Sequence, residues 1–205
     1  MNQKFFSLPE EKRRRILNAG YRAFSGSSYK KCPVGEIAEE AGISKSLLFH
    51  YFQNKKELYL FLWEEAAHLT ERYLAEVSLP PGGNLFDYME TGMEAKLRIM
   101  ADYPDLAAFA LRAFYEKDPA VCGDIARRCE HLVTESNERL IRALNPADYL
   151  PGLDLRLMYR ELYWASDGCM RSLMLRQPPD IPAMRKEFTA LIGFWRGVYL
   201  RKREG

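Results

Sequence analysis

The stretch VGEIAEEAGISKSLLFHYFQNK, residues 34–55, decides how the rest of the chain is read. Ile37, Ala38 and Ala41 give a first short helix an apolar edge, and Gly42 can take the left-handed conformation needed just past its end. Ser44 follows as an N-cap, its hydroxyl placed to accept a backbone N–H from the next turn. Leu47, Leu48 and Phe52 return at helical spacing to pack back on Ile37 and Ala38, which leaves Lys45, Ser46, Phe49, His50 and Tyr51 to share the other surface. A small residue at 38, glycine at 42 and an aliphatic at 48 is the spacing a helix-turn-helix needs where its helices cross. In such a motif the second helix enters the major groove of DNA, leading with its N-terminal residues.

Charge is distributed to match. Residues 1–55 hold ten Lys and Arg against five acids, whereas the remainder of the chain is net acidic by three. A basic head on a mildly acidic body fits a polyanion at one end. With 205 residues, 47% of them apolar, the chain can bury a sizeable core. No apolar run approaches the ~20 residues of a membrane span, no signal core opens the chain, and the reading is a cytoplasmic protein. Cys32, Cys122, Cys129 and Cys169 are scattered without paired Cys-x-x-Cys spacing, and Cys129 and His131 point to different faces of a helix, so buried thiols and no metal site are expected. No Gly-rich phosphate loop and no nucleophile–base pattern is present; neither enzyme activity nor a cofactor is expected.

Upstream of the motif, Ser7-Leu8-Pro9-Glu10 predicts a helix start, with Ser7 as the cap and a stripe of Ile16, Leu17, Gly20, Tyr21 and Phe24 covering the motif from behind. Downstream, Asn54 with Glu57 has the form of a capping box, and the helix it opens runs without a breaker to about Ser78. Lys55 stands in its first turn, where the helix dipole does not favour a cation and a shared phosphate would. Leu79-Pro80-Pro81-Gly82-Gly83 ends it. Segments of helical period follow over 85–103, 106–115, 118–144, 153–176 and 181–203, and nothing has the period of a strand. The expected fold is all-α with about nine helices, three in a helix-turn-helix domain over 1–54 and six in a larger domain over 55–205.

Ile37-Ala38, Ala41-Gly42, Ser44-Lys45, Leu48-Phe49-His50-Tyr51-Phe52 and Lys55 together resemble the DNA-binding domain of the TetR-like (TetR/AcrR) bacterial transcriptional regulators. The likeness covers roughly the first quarter of the chain. It implies a homodimeric transcriptional repressor of an inverted-repeat operator, with Val34, Gly35, Ser44, Lys45, Ser46, Leu47, Phe49, His50, Tyr51 and Lys55 against double-stranded DNA. The chain departs from the family's pattern at Ser28, where glycine is usual, and at Cys32 and Pro33, where threonines are usual; Phe49 stands where a tyrosine is common.

For the body the resemblance implies a cavity for a small, largely apolar effector, with Met89, Met93, Phe109, Phe114, Tyr163, Trp164 and Asp167 as candidate lining. Glu90, Glu94 and Asp167 could orient a cation, or could be spent in ion pairs such as Glu94–Arg98 and Asp167–Arg171. The last two long segments carry more apolar surface than one seam needs. Trp164, Gly168, Leu175, Leu191, Gly193, Trp195 and Gly197 are the candidate dimer interface, the glycines marking close helix approach. A DNA-binding protein without small-molecule control is the alternative.

Overall fold

The helix-turn-helix forms because its caps are local. In the computed structural model, which describes residues 3–75, 77–174 and 180–201, the chain runs through α1 (Glu10–Gly26), α2 (Val34–Glu40), α3 (Lys45–Phe52), α4 (Lys55–Leu74), α5 (Leu85–Asp102), α6 (Leu106–Phe114), α7 (Cys122–Ala143), α8 (Leu155–Met174) and α9 (Ile181–Tyr199). Single 3-10 turns lie at Gln3–Phe5 and Pro146–Asp148. Among the described residues the only β pairing is one antiparallel bridge, Tyr149 with Leu200. The all-α expectation holds.

Gly42 closes α2 at φ 66°. The N–H of Ile43 reaches the Ala38 carbonyl and that of Gly42 the Glu39 carbonyl, both at 2.9 Å, a Schellman closure that a β-carbon at this φ would strain. Ser44 Oγ then accepts the Leu47 N–H at 3.1 Å and opens α3, and Asn54 Oδ1 accepts the Glu57 N–H at 2.9 Å to open α4.

Four boundaries differ from expectation, the simplest being α7, which opens at Cys122 rather than at 118. Ser7 does not cap α1: its hydroxyl donates to the Lys4 carbonyl and finishes the preceding turn, while Pro9 stands at the N-cap without a side-chain bond. The α4 helix stops at Leu74 rather than Ser78, because the chain tightens there and buries Val77, whose Cγ1 lies 3.8 Å from the position a β-carbon on Gly92 would take. The last helix ends at Tyr199, where Leu150 and Arg201 exchange backbone bonds with Tyr199 and Asp148.

Two compact units result, residues 1–71 with 99–131, and residues 72–98 with 132–205. In the first, Ile16, Tyr21 and Phe24 of α1 are fully buried with Ile37, Leu48 and Leu62. Gly20 is required at the crossing of α1 with α4, since a β-carbon would sit 2.7 Å from Leu62 Cδ1. An aromatic core joins these helices to α6: Phe24 and Tyr59 lie 4.9 Å apart between ring centroids, and Phe109 lies 5.3 Å from Tyr21 and 5.4 Å from Tyr59. Ring pairs in this range contribute about 0.5–1.5 kcal/mol beyond their burial. Polar ties extend the unit to α7, with Lys56 Nζ 2.9 Å from Asp124 and Arg128 paired with Glu64.

The second unit has its own core of Leu85, Phe86, Leu144, Tyr149, Met158, Leu162, Ile192 and Trp195. Tyr149 Oη accepts the Leu85 N–H at 3.0 Å, so the helix start is satisfied inside the core. Asn84 accepts the Phe86 N–H at 2.9 Å while Asp87 accepts the Asn84 N–H at 2.8 Å, a reciprocal cap. Arg196 ties α9 to this helix start, 2.7 Å from Asp87 and 3.0 Å from Glu90.

Candidate nucleic-acid interface

Seen from its residues upward, α3 is buried on one side and open on the other. Leu48 and Phe52 face the core, whereas Ser44, Lys45, Ser46 and His50 are exposed and Leu47 and Phe49 half-buried. The exposed residues cluster in the first turns, where side chains on a recognition helix meet base edges. Lys45 Nζ lies 6.0 Å from the Phe49 ring, and the Ser44 and Ser46 hydroxyls are 2.9 Å apart. Gly35 is exposed at the N-terminal turn of α2; Val34 beside it is buried, which leaves its backbone rather than its side chain for any phosphate.

Tyr51 is 5% exposed, its ring 5.9 Å from Phe5 and 6.3 Å from Phe52, so most of this side chain is core. Lys55 is engaged as well. Its ammonium donates to the carbonyls of Cys32 at 2.6 Å and Lys30 at 3.2 Å and lies 5.2 Å from the Tyr29 ring. Tyr29 and these two carbonyls belong to the site but escape a reading of the sequence, because contacts across a loop leave no periodic signal. Arg22 is pulled from the basic surplus by Glu40 at 2.8 Å and Asp105 at 4.0 Å, with Glu40 foremost in raising its pKa. Burial pushes the Cys32 thiol up to about 11 against the opposing pull of Lys55, so it stays protonated at neutral pH, as a structural thiol should.

The residues named for the body fall in different surroundings. Met89 and Met93 are half-buried and pack against the core of the second unit. Phe109 is fully buried among Tyr21, Phe24 and Tyr59 in the first unit. Phe114, 46% exposed, packs edge-on against Tyr115, and Tyr163 is exposed on α8. Asp167 pairs with Arg171 at 2.9 Å. Glu94 pairs with Arg185 of α9 instead of the expected Arg98, since a partner on a packed helix competes with one along the same helix.

On the faces named for dimerisation, Trp164 is 62% exposed with the Arg160 guanidinium 5.3 Å from its ring. Nothing lies within 4 Å of a β-carbon added at Gly168, Gly193 or Gly197. Leu191 is half-buried against the second unit's core, and Leu175 lies outside the described residues. Trp195 is a correction: at 3% exposed it is core, while its neighbour Phe194 is 65% exposed. Among the described residues no group of three or more His, Cys, Asp or Glu could hold a metal ion, and no helix is long and apolar enough to cross a membrane.

Residues 16–61 match the sequence model for bacterial regulatory proteins of the tetR family. The chain is 31% identical over 79 residues to the HTH-type transcriptional regulator AcrR of Shigella flexneri, covering 38% of this chain and 35% of that protein. It is 38% identical over 116 residues to the HTH-type transcriptional activator FasR of Mycolicibacterium smegmatis, covering 56% and 44% respectively. With the repressor KstR of Rhodococcus jostii it shares 28% over 116 residues, covering 57% and 53%. It thus spans about a third to a half of the length of these relatives. Solved structures extend the likeness in fold to nearly the whole chain. A TetR family transcriptional regulator from Chloroflexus aurantiacus superposes with a TM-score of 0.68 at 22% identity, covering 98% of this chain and 99% of that one. FadR from Bacillus subtilis, solved in complex with stearoyl-CoA, gives 0.64 at 18% identity, covering 87% and 96%. The chain is therefore TetR-like: its head matches the tetR family of bacterial regulatory proteins, and its all-helical fold is that of solved TetR-family regulators.

Proposed function

We propose that the chain is a DNA-binding transcriptional regulator, acting in the cytoplasm as a homodimeric repressor of an inverted-repeat operator. The observation that carries the reading is the α3 surface: Lys45, Ser46 and His50 stand exposed at the start of a helix whose orientation is fixed by the Gly42 closure and the Ser44 cap. Residues 1–54 serve as the DNA-binding domain and residues 55–205 as the regulatory and dimerisation domain. Phe49 meets bases through an apolar contact, suited to a thymine methyl. Lys55 positions the loop before α2 and adds positive charge beside the phosphates.

A two-fold pair is supported by the exposed row of Leu157, Trp164 and Gly168 on α8 and of Phe194, Gly197 and Val198 on α9. An isologous four-helix contact would cover this surface. Two heads so related read half-sites about one helical turn apart, roughly 34–36 Å. Release follows from an effector with an apolar body. FadR was solved with stearoyl-CoA, which supports this ligand class. In this reading α4, which begins with Lys55 at the end of the motif and closes at Leu74, tilts and changes the separation of the heads. A preference of ~1–3 kcal/mol for the tilted state is enough for a useful response.

The test is selection of bound sequences from random duplex DNA by the full chain, followed by anisotropy titration of the enriched sequence. An enriched inverted repeat, bound with a steep loss of affinity as salt rises, is the expected result. Enrichment of no sequence would overturn the proposal.

A further inference from the structure

The residues that join α1 to α2, 27–33, are poorly held by burial: Cys32 alone among them is buried. The loop nevertheless decides where α2 begins, and so where the exposed Gly35 presents its N–H. Its course is fixed from outside. On one side Lys55 grips the carbonyls of Lys30 and Cys32. On the other, two residues from α6 and the turn after it reach back 87 residues along the chain. Arg112 Nε donates to the Ser25 carbonyl at 2.8 Å, and Glu116 Oε2 accepts the Tyr29 N–H at 2.8 Å.

All of these residues belong to the first compact unit. Arg112 and Glu116 stand at the i, i+4 spacing of an ion pair, yet each bonds the backbone around the α1–α2 junction. Glu116 also anchors its own corner: Oε1 accepts the N–H groups of Lys117 at 2.9 Å and Asp118 at 3.0 Å. One carboxylate thus takes three backbone donors, and one of them comes from the head. The ring of Tyr29 packs edge-on against Tyr59, 5.1 Å between centroids, so that ring and amide of this one residue are both held.

Charge gives no reason for an acid here. Residues 1–55 carry the chain's surplus of positive charge, and Lys30 and Lys31, next to Tyr29, are exposed. An acid bound to this loop opposes a polyanion. Its hydrogen bonds supply the reason instead. We propose that Glu116 is a positioning residue of the DNA-binding head: through the Tyr29 N–H it holds the α1–α2 loop on the course that aims α2 and, through the Gly42 closure, α3. The inference rests on the DNA-binding reading above and extends the working parts of the head beyond residues 1–54 to the corner between α6 and α7. A loop already in place need not be ordered when DNA arrives, and that ordering would otherwise weaken binding.

The experiment uses the full-length chain, the operator obtained by selection, and two variants. Glu116→Gln removes the negative charge and leaves one acceptor where two are needed, so that an NH2 group faces either Tyr29 or the 117–118 corner. Glu116→Asp keeps the charge; one methylene shorter, it can still cap Lys117 and Asp118 but falls short of Tyr29. Charge alone would make Glu116→Gln bind DNA at least as tightly as the parent. Positioning makes both variants bind the operator weaker by roughly fivefold or more, measured by anisotropy at a temperature where circular dichroism shows each fully folded. Exchange of the Tyr29 amide, followed by NMR without DNA and taken relative to the amides of α1, should be roughly tenfold or more faster in Glu116→Asp than in the parent. If Glu116→Gln does not fold, Glu116→Asp decides both measurements. Unchanged or tighter operator binding in either folded variant overturns the proposal, as does a Tyr29 amide that keeps the parent's rate. A lower melting temperature with operator affinity intact would assign Glu116 to the fold alone and overturn it too. A parent that selects an operator which the variants bind equally well sinks this inference and leaves the regulator reading. A parent that selects no DNA sinks the regulator reading, and the Tyr29 amide then decides whether Glu116 holds the loop.

Discussion

Lys55 and Cys32 are joined across 23 residues of chain by a hydrogen bond of 2.6 Å, from the lysine ammonium to the cysteine carbonyl. The first residue of α4 thereby holds the loop that delivers α2, and Lys30, whose carbonyl lies 3.2 Å from the same nitrogen, strengthens the tie. A cation at a helix N-terminus is unfavourable for the dipole. Two carbonyls and the face of Tyr29 account for it here without any phosphate.

Lys55→Met should therefore act in two ways. Losing charge-assisted bonds at a half-buried site should lower stability by about 1–2 kcal/mol, seen as a fall in the urea midpoint. DNA affinity should drop alike for operator and unrelated duplexes, because the α2 entrance loosens and one positive charge is gone. Denaturation and anisotropy on the same preparation separate the two effects. An unchanged urea midpoint would place the lysine's role entirely on the phosphates.

Lys45→Ala should behave differently. The residue is exposed at the start of α3, and its nearest described ring, Phe49, is 6.0 Å away. Stability should hold within about 0.5 kcal/mol. Preference at particular base pairs should relax by ~1–3 kcal/mol if the contact is to guanine. Repeating the selection with the variant reads this directly as a loss of information at one position in each half-site.

Ser44→Ala removes the acceptor that caps α3 at 3.1 Å. A loss of about 1 kcal/mol is expected, the usual value of such a cap. Ser44→Asp should restore it, since aspartate accepts the same N–H and suits the dipole, while its negative charge weakens DNA binding. Thermal melting and operator titration of the pair should thus move in opposite directions.

Phe194→Asp tests the dimer. The ring is 65% exposed, so the substitution should leave the fold of the second unit intact. Sedimentation at micromolar concentration should show a dimer for the parent and a monomer for the variant, with operator affinity lost in parallel. Trp195→Ala should instead destabilise the protein by about 3–5 kcal/mol, as expected for a core aromatic.

Acid should weaken the tie between α5 and α9. Burial pushes the Asp87 carboxyl up, but the Asn84 N–H and Arg196 more than offset it and hold its pKa below the ordinary value. A carboxyl with a depressed folded pKa stabilises fully above its unfolded pKa, about 3.9, and that contribution is lost as pH falls through the folded value. Asp87→Asn should cost about 1 kcal/mol at neutral pH. The gap between variant and parent in urea midpoint should narrow from about pH 4 downwards.

What the sequence by itself determined is local. Gly42, Ser44 and Asn54 act within three to five residues along the chain, so their closures follow from residue type and spacing alone. The stripe from Ile16 to Phe24 was legible for the same reason: helical period says which residues share a face. Period does not say which of two apolar faces turns inward. Leu191, Ile192, Phe194, Trp195 and Val198 make an apolar arc of about 160° on α9, and a rotation of one residue, about 100°, exchanges Trp195 for Phe194; only packing against Leu85, Phe86 and Tyr149 decided it. Phe109 joined the aromatic core of α1 and α4, although its own helix is apolar nearly throughout. Arg196 found Asp87 109 residues away, and Arg185 took Glu94 from its neighbour in sequence. Such pairings depend on where whole helices come to rest. That position is set by the summed burial of many side chains, and no short stretch of sequence contains it.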